Sequence, residues 1–195
     1  MRPVVIALII VFTLLANTRT FASEKFSSIV SLNYNNLQMD IADQSSNSGF
    51  SINPRFYFPI SNPSTQVSVL FGGGLTYDMF LKSDKRLGMD SLLLVPSFGM
   101  EFTNIANFIL TILFDYQYAL FNKVTQNGVP NDDIHIKRNQ KFGFDIVIGF
   151  EAAKSLFLGL NVGLHYQSIK LKKSDIETSN TGANSSVGLS LIYSL

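Results

Sequence analysis

The sequence predicts an all-β protein in which eight antiparallel, up-and-down strands close into a transmembrane barrel. Two observations favour this fold: an N-terminal apolar segment too short to span a bilayer, and eight later runs in which apolar residues alternate with small or polar ones. The 195-residue chain is 46% hydrophobic and only 15% charged, whereas soluble domains contain roughly 25% charged residues. This length accommodates one domain preceded by a targeting segment.

The first 22 residues have the layout of a secretory signal peptide. A positively charged start precedes an apolar run of 13 residues, from 4 to 16, and a polar stretch then ends in small residues at Thr20 and Ala22. A transmembrane helix would need about 20 apolar residues. We therefore expect a signal peptide over 1–22, cleaved after Ala22 or Ser23, and a barrel domain over 23–195.

Charge and cysteine content exclude several function classes. Cleavage after Ala22 removes two arginines and leaves 13 basic and 14 acidic residues, so the chain lacks the basic excess of a nucleic-acid-binding protein. The sequence contains no Cys, which excludes disulfides, thiolate metal sites and a Cys nucleophile. No cluster of residues suggests a metal site or a cofactor, and we expect neither.

Each alternating run places its apolar residues on one face of a strand, because successive side chains point to opposite sides. Ten residues tilted by about 40° rise about 25 Å, which is the height of the apolar band of an outer-membrane barrel. The runs cover residues 26–35, 50–60, 67–81, 91–102, 108–120, 142–151, 156–167 and 187–195.

The connections between the runs also alternate in length. Short turns are predicted at 61–66, 103–107 and 153–155, and longer loops at 40–48, 82–90, 122–141 and 172–184. Short turns beside both termini, with longer loops at the other end, are typical of bacterial outer-membrane barrels. The short turns would then face the periplasm. Pro54 and Pro96 fall inside runs, and we expect β-bulges there because a closed barrel offers proline no free edge.

The apolar face is predicted to contact lipid. A soluble ligand-binding barrel would instead turn this face inward and expose the other one to water. Here the other face is rich in Gly, Ser, Thr and Asn, and it carries eight of the 13 glycines, which suits a narrow lumen. Outward aromatic residues form two predicted rings. The outer ring contains Tyr34, Tyr77, Tyr116, Tyr118 and Tyr166, and the inner ring contains Phe26, Phe58, Phe102, Phe108, Phe150 and Tyr193.

Six charged residues point into the predicted lumen: Arg55, Asp78, Glu101, Asp115, Asp145 and Glu151. A buried charge without a partner costs several kcal/mol. We therefore expect Arg55 to join a network across the lumen with at least one of Glu101, Asp115 and Asp145. Asp78, Glu151 and His165 are expected nearer the mouths of the barrel. This network would largely plug a small polar lumen.

The last run carries a pattern of the form polar-x-Gly-x-x-hydrophobic-x-hydrophobic, at Ser186, Gly188, Leu191 and Tyr193. With the strand and loop layout, it resembles the small eight-stranded outer-membrane barrels, the group of the OmpA transmembrane domain, OmpX and OmpW. The resemblance implies insertion into the outer membrane of a Gram-negative-type bacterium, with help from periplasmic chaperones and the β-barrel assembly machinery. Family members usually end in an aromatic residue, whereas this chain ends in Leu195.

The function predicted first is a structural or surface-interaction role, in which the outer loops contact lipopolysaccharide or an external partner. Ten cations are assigned to these loops: Lys82, Lys85, Arg86, Lys123, Lys137, Arg138, Lys141, Lys170, Lys172 and Lys173. The alternative is a narrow porin-like channel for small solutes or ions. An enzyme is disfavoured, since His135 lies in the third long loop and His165 in the lumen, and neither completes a triad. The glycines at 72–74 precede no helix, which favours a bend or close packing over a phosphate site.

Overall fold

The computed structural model describes residues 26–39, 47–60, 66–80, 87–105, 107–126, 129–130, 133–173 and 175–194. The predicted signal peptide, the loop cations Lys82, Lys85 and Arg86, and the terminal Leu195 lie outside this part of the chain. Within it, no helix is long and apolar enough to cross a membrane.

The structure is a closed ring of eight long antiparallel strands. They are β1 (Ser27–Gln38), β2 (Asn47–Pro59), β3 (Val67–Phe80), β4 (Leu87–Ile105), β5 (Phe108–Gln126), β7 (Ile134–Ala153), β8 (Leu156–Lys173) and β9 (Ile176–Ser194), and a two-residue strand, β6 (Val129–Pro130), pairs with the end of β5. Each long strand pairs with the next, and β1 also pairs with β9. The predicted fold class is confirmed.

The connections at one end are short, as predicted. Only 106–107 separates β4 from β5, and only 154–155 separates β7 from β8. Asn107 has a φ of 67° and Ser155 a φ of 64°. This left-handed backbone conformation allows the chain to reverse within two residues. Both termini of the described barrel lie at this end, which we call the periplasmic end, and the opposite end the extracellular end.

Two of the predicted long loops are wrong, because the strands continue through them. β5 extends to Gln126 and β7 begins at Ile134, so the third loop is short. The fourth is a turn at 174–175 between β8 and β9. His135, predicted to lie in the third loop, is an exposed residue of β7. These segments were missed because their outward side chains are polar, so the apolar alternation that marks a membrane strand is absent.

The predicted inward and outward faces are confirmed by burial. On β8, Leu160 is 56% exposed and points outward, whereas its neighbour Asn161 is 1% exposed and points into the lumen. In the outer ring, Tyr34, Tyr116, Tyr118 and Tyr166 are exposed on the outer wall and Tyr77 is half-buried. Phe26, predicted in the inner ring, is buried instead. In the inner ring, Phe108 and Phe150 lie 6.4 Å apart between ring centroids. The outer wall is therefore a continuous apolar and aromatic surface.

Two β-bulges shift the inward and outward pattern by one residue near the extracellular end. Between β4 and β5, Leu92 pairs with Phe121 and Leu93 pairs with Ala119, so Leu120 is the extra residue. Between β7 and β8 the register shifts between Ile136 and Arg138. Odd-numbered residues face the lumen of β5 and β7 below the bulges, and even-numbered residues face it above them.

The bulges predicted at the two prolines are wrong. The β2–β3 ladder skips Asn53 and Pro54, and the β4–β5 ladder skips Val95 and Pro96, but the register on either side of each gap is the same. Proline lacks the N–H that a ladder needs. The wall therefore accommodates each proline by omitting pairs rather than by adding a residue.

The lumen is not polar throughout, which corrects the prediction from the glycine-rich face. An upper apolar cluster fills the extracellular end and consists of Leu37, Met39, Phe80, Met89, Val124, Ile134, Ile169 and Leu171. A lower apolar cluster fills the periplasmic end and consists of Ile29, Tyr57, Leu70, Ile109, Leu113, Val147 and Ile192. The polar side chains form a belt between them.

We expect Leu160→Arg to reduce assembly strongly and Thr178→Arg to leave it unchanged. Leu160 faces lipid, where Arg costs about 2–4 kcal/mol near mid-depth, whereas Thr178 is an exposed residue of the β9 extension beyond β1. Assembly is measured as the fraction of protein that migrates differently on SDS gels before and after boiling, since closed barrels resist detergent. Equal folded fractions for the two variants would contradict the assignment of the outer face.

Candidate functional site: the filled lumen

An ion cluster crosses the middle of the lumen. Arg55 Nη1 lies 2.8 Å from Asp115 Oδ2 and 2.7 Å from Asp145 Oδ2, and all three side chains are at most 3% exposed. Arg55 comes from β2, and the carboxylates come from β5 and β7 on the far side of the ring. Asp115 and Asp145 are diagonal neighbours, since Asp115 pairs with Gly143. The structure thus brings together three of the four residues predicted for the network.

Glycines make room for this cluster. On one side of each charged residue the cross-strand neighbour is a glycine: Gly74 beside Arg55, Gly143 beside Asp115 and Gly163 beside Asp145. A Cβ atom at Gly163 would collide with Asp145 Oδ1. The small residues on the lumen face are therefore matched to long or charged partners one strand away, and Tyr57 follows the same rule opposite Gly72.

His165 belongs to the cluster and not to a mouth of the barrel. Its Nε2 atom lies 3.6 Å from Asp115 Oδ2, 3.9 Å from Asp145 Oδ2 and 3.3 Å from Gln117 Nε2, and it is 6% exposed. The prediction erred in depth: His165 pairs across β7–β8 with Gly143, the residue that also faces Asp115. One guanidinium therefore faces two carboxylates, and the imidazole of His165 lies beside both of them.

Three of these side chains also offer ligand atoms of the kind that bind metal ions. One ligand atom from each of Asp115, Asp145 and His165 lies within 4.8 Å of the others, and carboxylate and imidazole ligands suit several divalent ions. Arg55 Nη1, however, contacts the Oδ2 atom of both carboxylates. The guanidinium thus occupies the position between the two oxygens and supplies the positive charge that an ion would bring.

Glu101 does not join Arg55. Arg55 pairs with Gly74 on β3, and Gly74 pairs with Val95 on β4. Glu101 is six residues farther along β4 than Val95, a distance of about 20 Å in a strand. Glu101 instead accepts a hydrogen bond from Ser27 Oγ at 3.1 Å and is 4% exposed. Glu151, expected at a mouth, is exposed at the periplasmic end of β7.

A second ion pair lies above the cluster and was not predicted. Lys141 donates to Asp78, and both side chains are at most 3% exposed. Lys141 was assigned to an outer loop and Asp78 to the outer mouth, so both assignments are wrong. The sequence contained the information needed to place Lys141. It lies four residues before Asp145 on the same strand, so both side chains face the same side, and extending the predicted strand by one residue would have placed Lys141 in the lumen.

A network of hydrogen-bonded amides also lies in the lumen and links five strands. Asn139 on β7 donates to Ser91 Oγ at 3.1 Å and to Asn122 Oδ1 at 3.2 Å. Gln167 donates to Asn139 at 2.8 Å, and Asn184 donates to Gln167 at 3.0 Å. Above them the upper apolar cluster encloses a cavity of about 20 Å³, roughly the space of one water molecule, and its apolar lining favours a dry cavity.

The pattern predicted as an assembly signal lies on β9. Ser186 points into the lumen, and the cross-strand neighbour of Gly188 on β1 is Asn33. Leu191 and Tyr193 are on the outer side of the strand, and the Tyr193 ring lies 6.1 Å from that of Phe26. These residues thus lie where β9 closes the ring against β1.

We expect Arg55→Met to lower the free energy of unfolding by about 3–5 kcal/mol, because it leaves two buried carboxylates without their cation. The triple variant Arg55→Met, Asp115→Asn, Asp145→Asn should recover much of this loss. The measurement is the urea midpoint of the barrel in lipid vesicles.

The control for this experiment is Lys154→Met, which removes an exposed cation from a periplasmic turn. An unchanged midpoint for Arg55→Met, or a triple variant less stable than the single one, would contradict the role assigned to the cluster.

No family profile matches the chain, and no curated protein matches it. Similar solved structures include Neisserial surface protein A, with a TM-score of 0.60 and 10% identity over 87% of this chain and 97% of that one. They also include the outer membrane enzyme PagL, with a TM-score of 0.44 and 14% identity over 85% of this chain and 99% of that one. The Yersinia pestis attachment invasion locus protein Ail has a TM-score of 0.42 and 14% identity over 87% of this chain and 99% of that one. The closed ring and its apolar outer wall give this chain the fold of the small eight-stranded outer-membrane β-barrels.

Proposed function

We propose that the protein is a closed outer-membrane barrel that acts through its outer and extracellular surfaces, without catalysis and without transport through the lumen. The observation that supports this proposal is the filling of the lumen in three layers: the lower apolar cluster, the polar belt with its two sets of ion pairs, and the upper apolar cluster. A solute would have to displace all three. The periplasmic chaperones and the assembly machinery are proposed partners through the β9 pattern.

Lipopolysaccharide is the proposed partner at the extracellular rim. The bulge in β7 leaves Lys137 and Arg138 both exposed, although they are consecutive residues. The cross-strand neighbour of Arg138 is Lys170, and like charges directly opposite each other on two strands are destabilising. Glu177 offsets the charge of Lys170, so a phosphate group at this position would accept its hydrogen bonds from Lys137 and Arg138.

Two cations on the neighbouring strand already have carboxylate partners. Lys170 Nζ lies 2.5 Å from Glu177 and Lys172 Nζ lies 2.8 Å from Asp175. The hydrogen bond from Lys170, with the positive charge behind it, holds the pKa of Glu177 below its ordinary value. Lys137 and Arg138 make no ion pair with any residue that the structure describes. This doublet therefore offers two consecutive exposed cations to an anionic lipid.

The position of the doublet suits a lipid phosphate. Gln140, two residues below Arg138 on β7, donates a hydrogen bond to the Tyr116 hydroxyl of the outer ring at 2.6 Å. Tyrosines concentrate at the level of lipid headgroups. Arg138 thus lies just above that level, where lipid A carries its phosphates.

We expect planar bilayers that contain the folded protein to show no discrete conductance steps, because side chains fill the lumen at three levels. Insertion is checked separately by the gel shift on boiling. Steps in preparations that pass this check would favour the narrow porin-like channel over the closed barrel.

We expect the double variant Lys137→Ser, Arg138→Ser to bind lipopolysaccharide about 30-fold more weakly in reconstituted vesicles, since each cation near an anionic surface contributes about 1 kcal/mol. Binding is measured by titration at fixed ionic strength. Lys154→Ser on the periplasmic turn is the control and should bind like the wild type. Equal affinities of the double variant and the wild type would exclude the doublet as the contact.

A further inference from the structure

The lipid-facing wall contains a groove of about 410 Å³ over strands β2, β3 and β4. Its floor is the glycine triplet 72–74, and its sides include Pro54 and Phe56 of β2 with Leu94 and Pro96 of β4. This volume falls within the 300–1,000 Å³ of ordinary ligand sites.

Gly73 opens the groove. Gly72 and Gly74 point into the lumen, where they make room for Tyr57 and Arg55. Gly73 points outward between Phe56 on one side and Pro96 on the other, its direct cross-strand neighbours. A Cβ atom at Gly73 would collide with the carbonyl oxygen of Val95. Space in the lumen explains why residues 72 and 74 are glycines. Residue 73 faces the other way, and its lack of a side chain is explained by the close approach of β4 and by the groove.

The groove has rigid edges. Its rim includes Pro54 and Pro96, at the places where the β2–β3 and β4–β5 ladders omit two pairs each. Proline rings have no rotatable side-chain torsions to lose when a ligand packs on them. The site is thus formed before any ligand arrives.

The surroundings indicate an apolar occupant within the membrane. A row of phenylalanines, Phe58, Phe71 and Phe98, runs directly beneath the groove on neighbouring strands, and each is more than 50% exposed. No charged residue lines the groove. It is continuous with the outer wall, so the molecules that reach it are those of the hydrocarbon layer.

The aromatic rings and the lumen cluster fix the depth of the groove. Gly73 lies two residues above Phe71, whose neighbour Phe58 belongs to the inner aromatic ring, and four residues below Tyr77 of the outer ring. At about 2.5 Å of height per tilted residue, these separations are about 5 and 10 Å. Phe102 of the inner ring, however, pairs with Val67, six residues below Gly73, and Gly74 pairs with Arg55 of the mid-lumen cluster. The groove therefore lies near the middle of the membrane, at the depth of the acyl chains.

We propose that this groove is a binding site for one acyl chain of a membrane phospholipid, held more tightly than the lipids around the rest of the barrel. The proposal does not depend on the closed lumen or on the extracellular cations.

The test uses the absence of tryptophan from the sequence. Phe71→Trp places a single fluorophore beside the groove, and Phe150→Trp places one on the far wall, on β7, in the inner ring. Both phenylalanines are 60% exposed, so the two variants are matched in exposure and residue type. Each is reconstituted in phosphatidylcholine vesicles with increasing fractions of phosphatidylcholine brominated along its chains, which quenches the fluorophore on contact.

We expect quenching of Phe71→Trp to saturate at a low fraction of brominated lipid, with a relative affinity at least about tenfold above bulk lipid, the ratio equivalent to about 1.4 kcal/mol. Quenching of Phe150→Trp should follow the bulk fraction. Adding Leu75→Phe to Phe71→Trp narrows the groove from its upper edge and should remove the preference. Leu75 is an outward residue, and the gel shift on boiling confirms that the variant is folded.

Indistinguishable quenching curves for the two fluorophores would overturn the proposal. So would a preference that survives Leu75→Phe in a folded barrel. Quenching of Phe71→Trp that falls as the protein-to-lipid ratio rises would also overturn it, since a second copy of the chain would then fill the groove.

Discussion

Closure of the backbone ladder is the constraint on which the rest of the structure depends. In hydrocarbon an unpaired N–H or C=O costs several kcal/mol, so a sheet can cross only if its first and last strands meet. Here they meet along twelve consecutive residue pairs between β1 and β9. An eight-membered ring is narrow, and everything inside it follows from that: side chains must fill the space completely, and every charge must find a partner within the wall.

The lumen meets this requirement by placing a glycine on the strand next to several of its large or charged inward residues. Arg55, Asp115 and Asp145 face one another across the interior because the strand beside each of them offers glycine. A buried ion pair contributes little net stability on its own, but losing one partner is costly. The cluster therefore selects one register and one arrangement of strands more than it strengthens the barrel, and the apolar clusters at both ends shield it from solvent.

The alternation of apolar residues was enough to predict the wall, its two faces and the inward direction of Arg55, Asp115 and Asp145. This pattern fails beyond the membrane, because only residues that face lipid must be apolar. Outside the membrane, outward residues such as Lys137 and Thr178 are polar on a strand as they would be in a loop, so β7 and β9 were drawn too short and Lys141 was left out of the lumen. Depth also escaped prediction: His165 and Asp78 were given the right face but the wrong height, because height depends on register between strands distant in sequence.

The bulges at the extracellular end carry a consequence for how such chains tolerate change. A one-residue insertion in a membrane strand would turn every later side chain to the wrong side. In β5 and β7 the extra residue lies at the boundary between lipid and water. Each strand therefore consists of two segments whose inward and outward alternation differs by one residue. Below the junction odd positions line the interior; above it even positions do. Segments joined in this way can be exchanged or lengthened independently, provided that the junction keeps its extra residue.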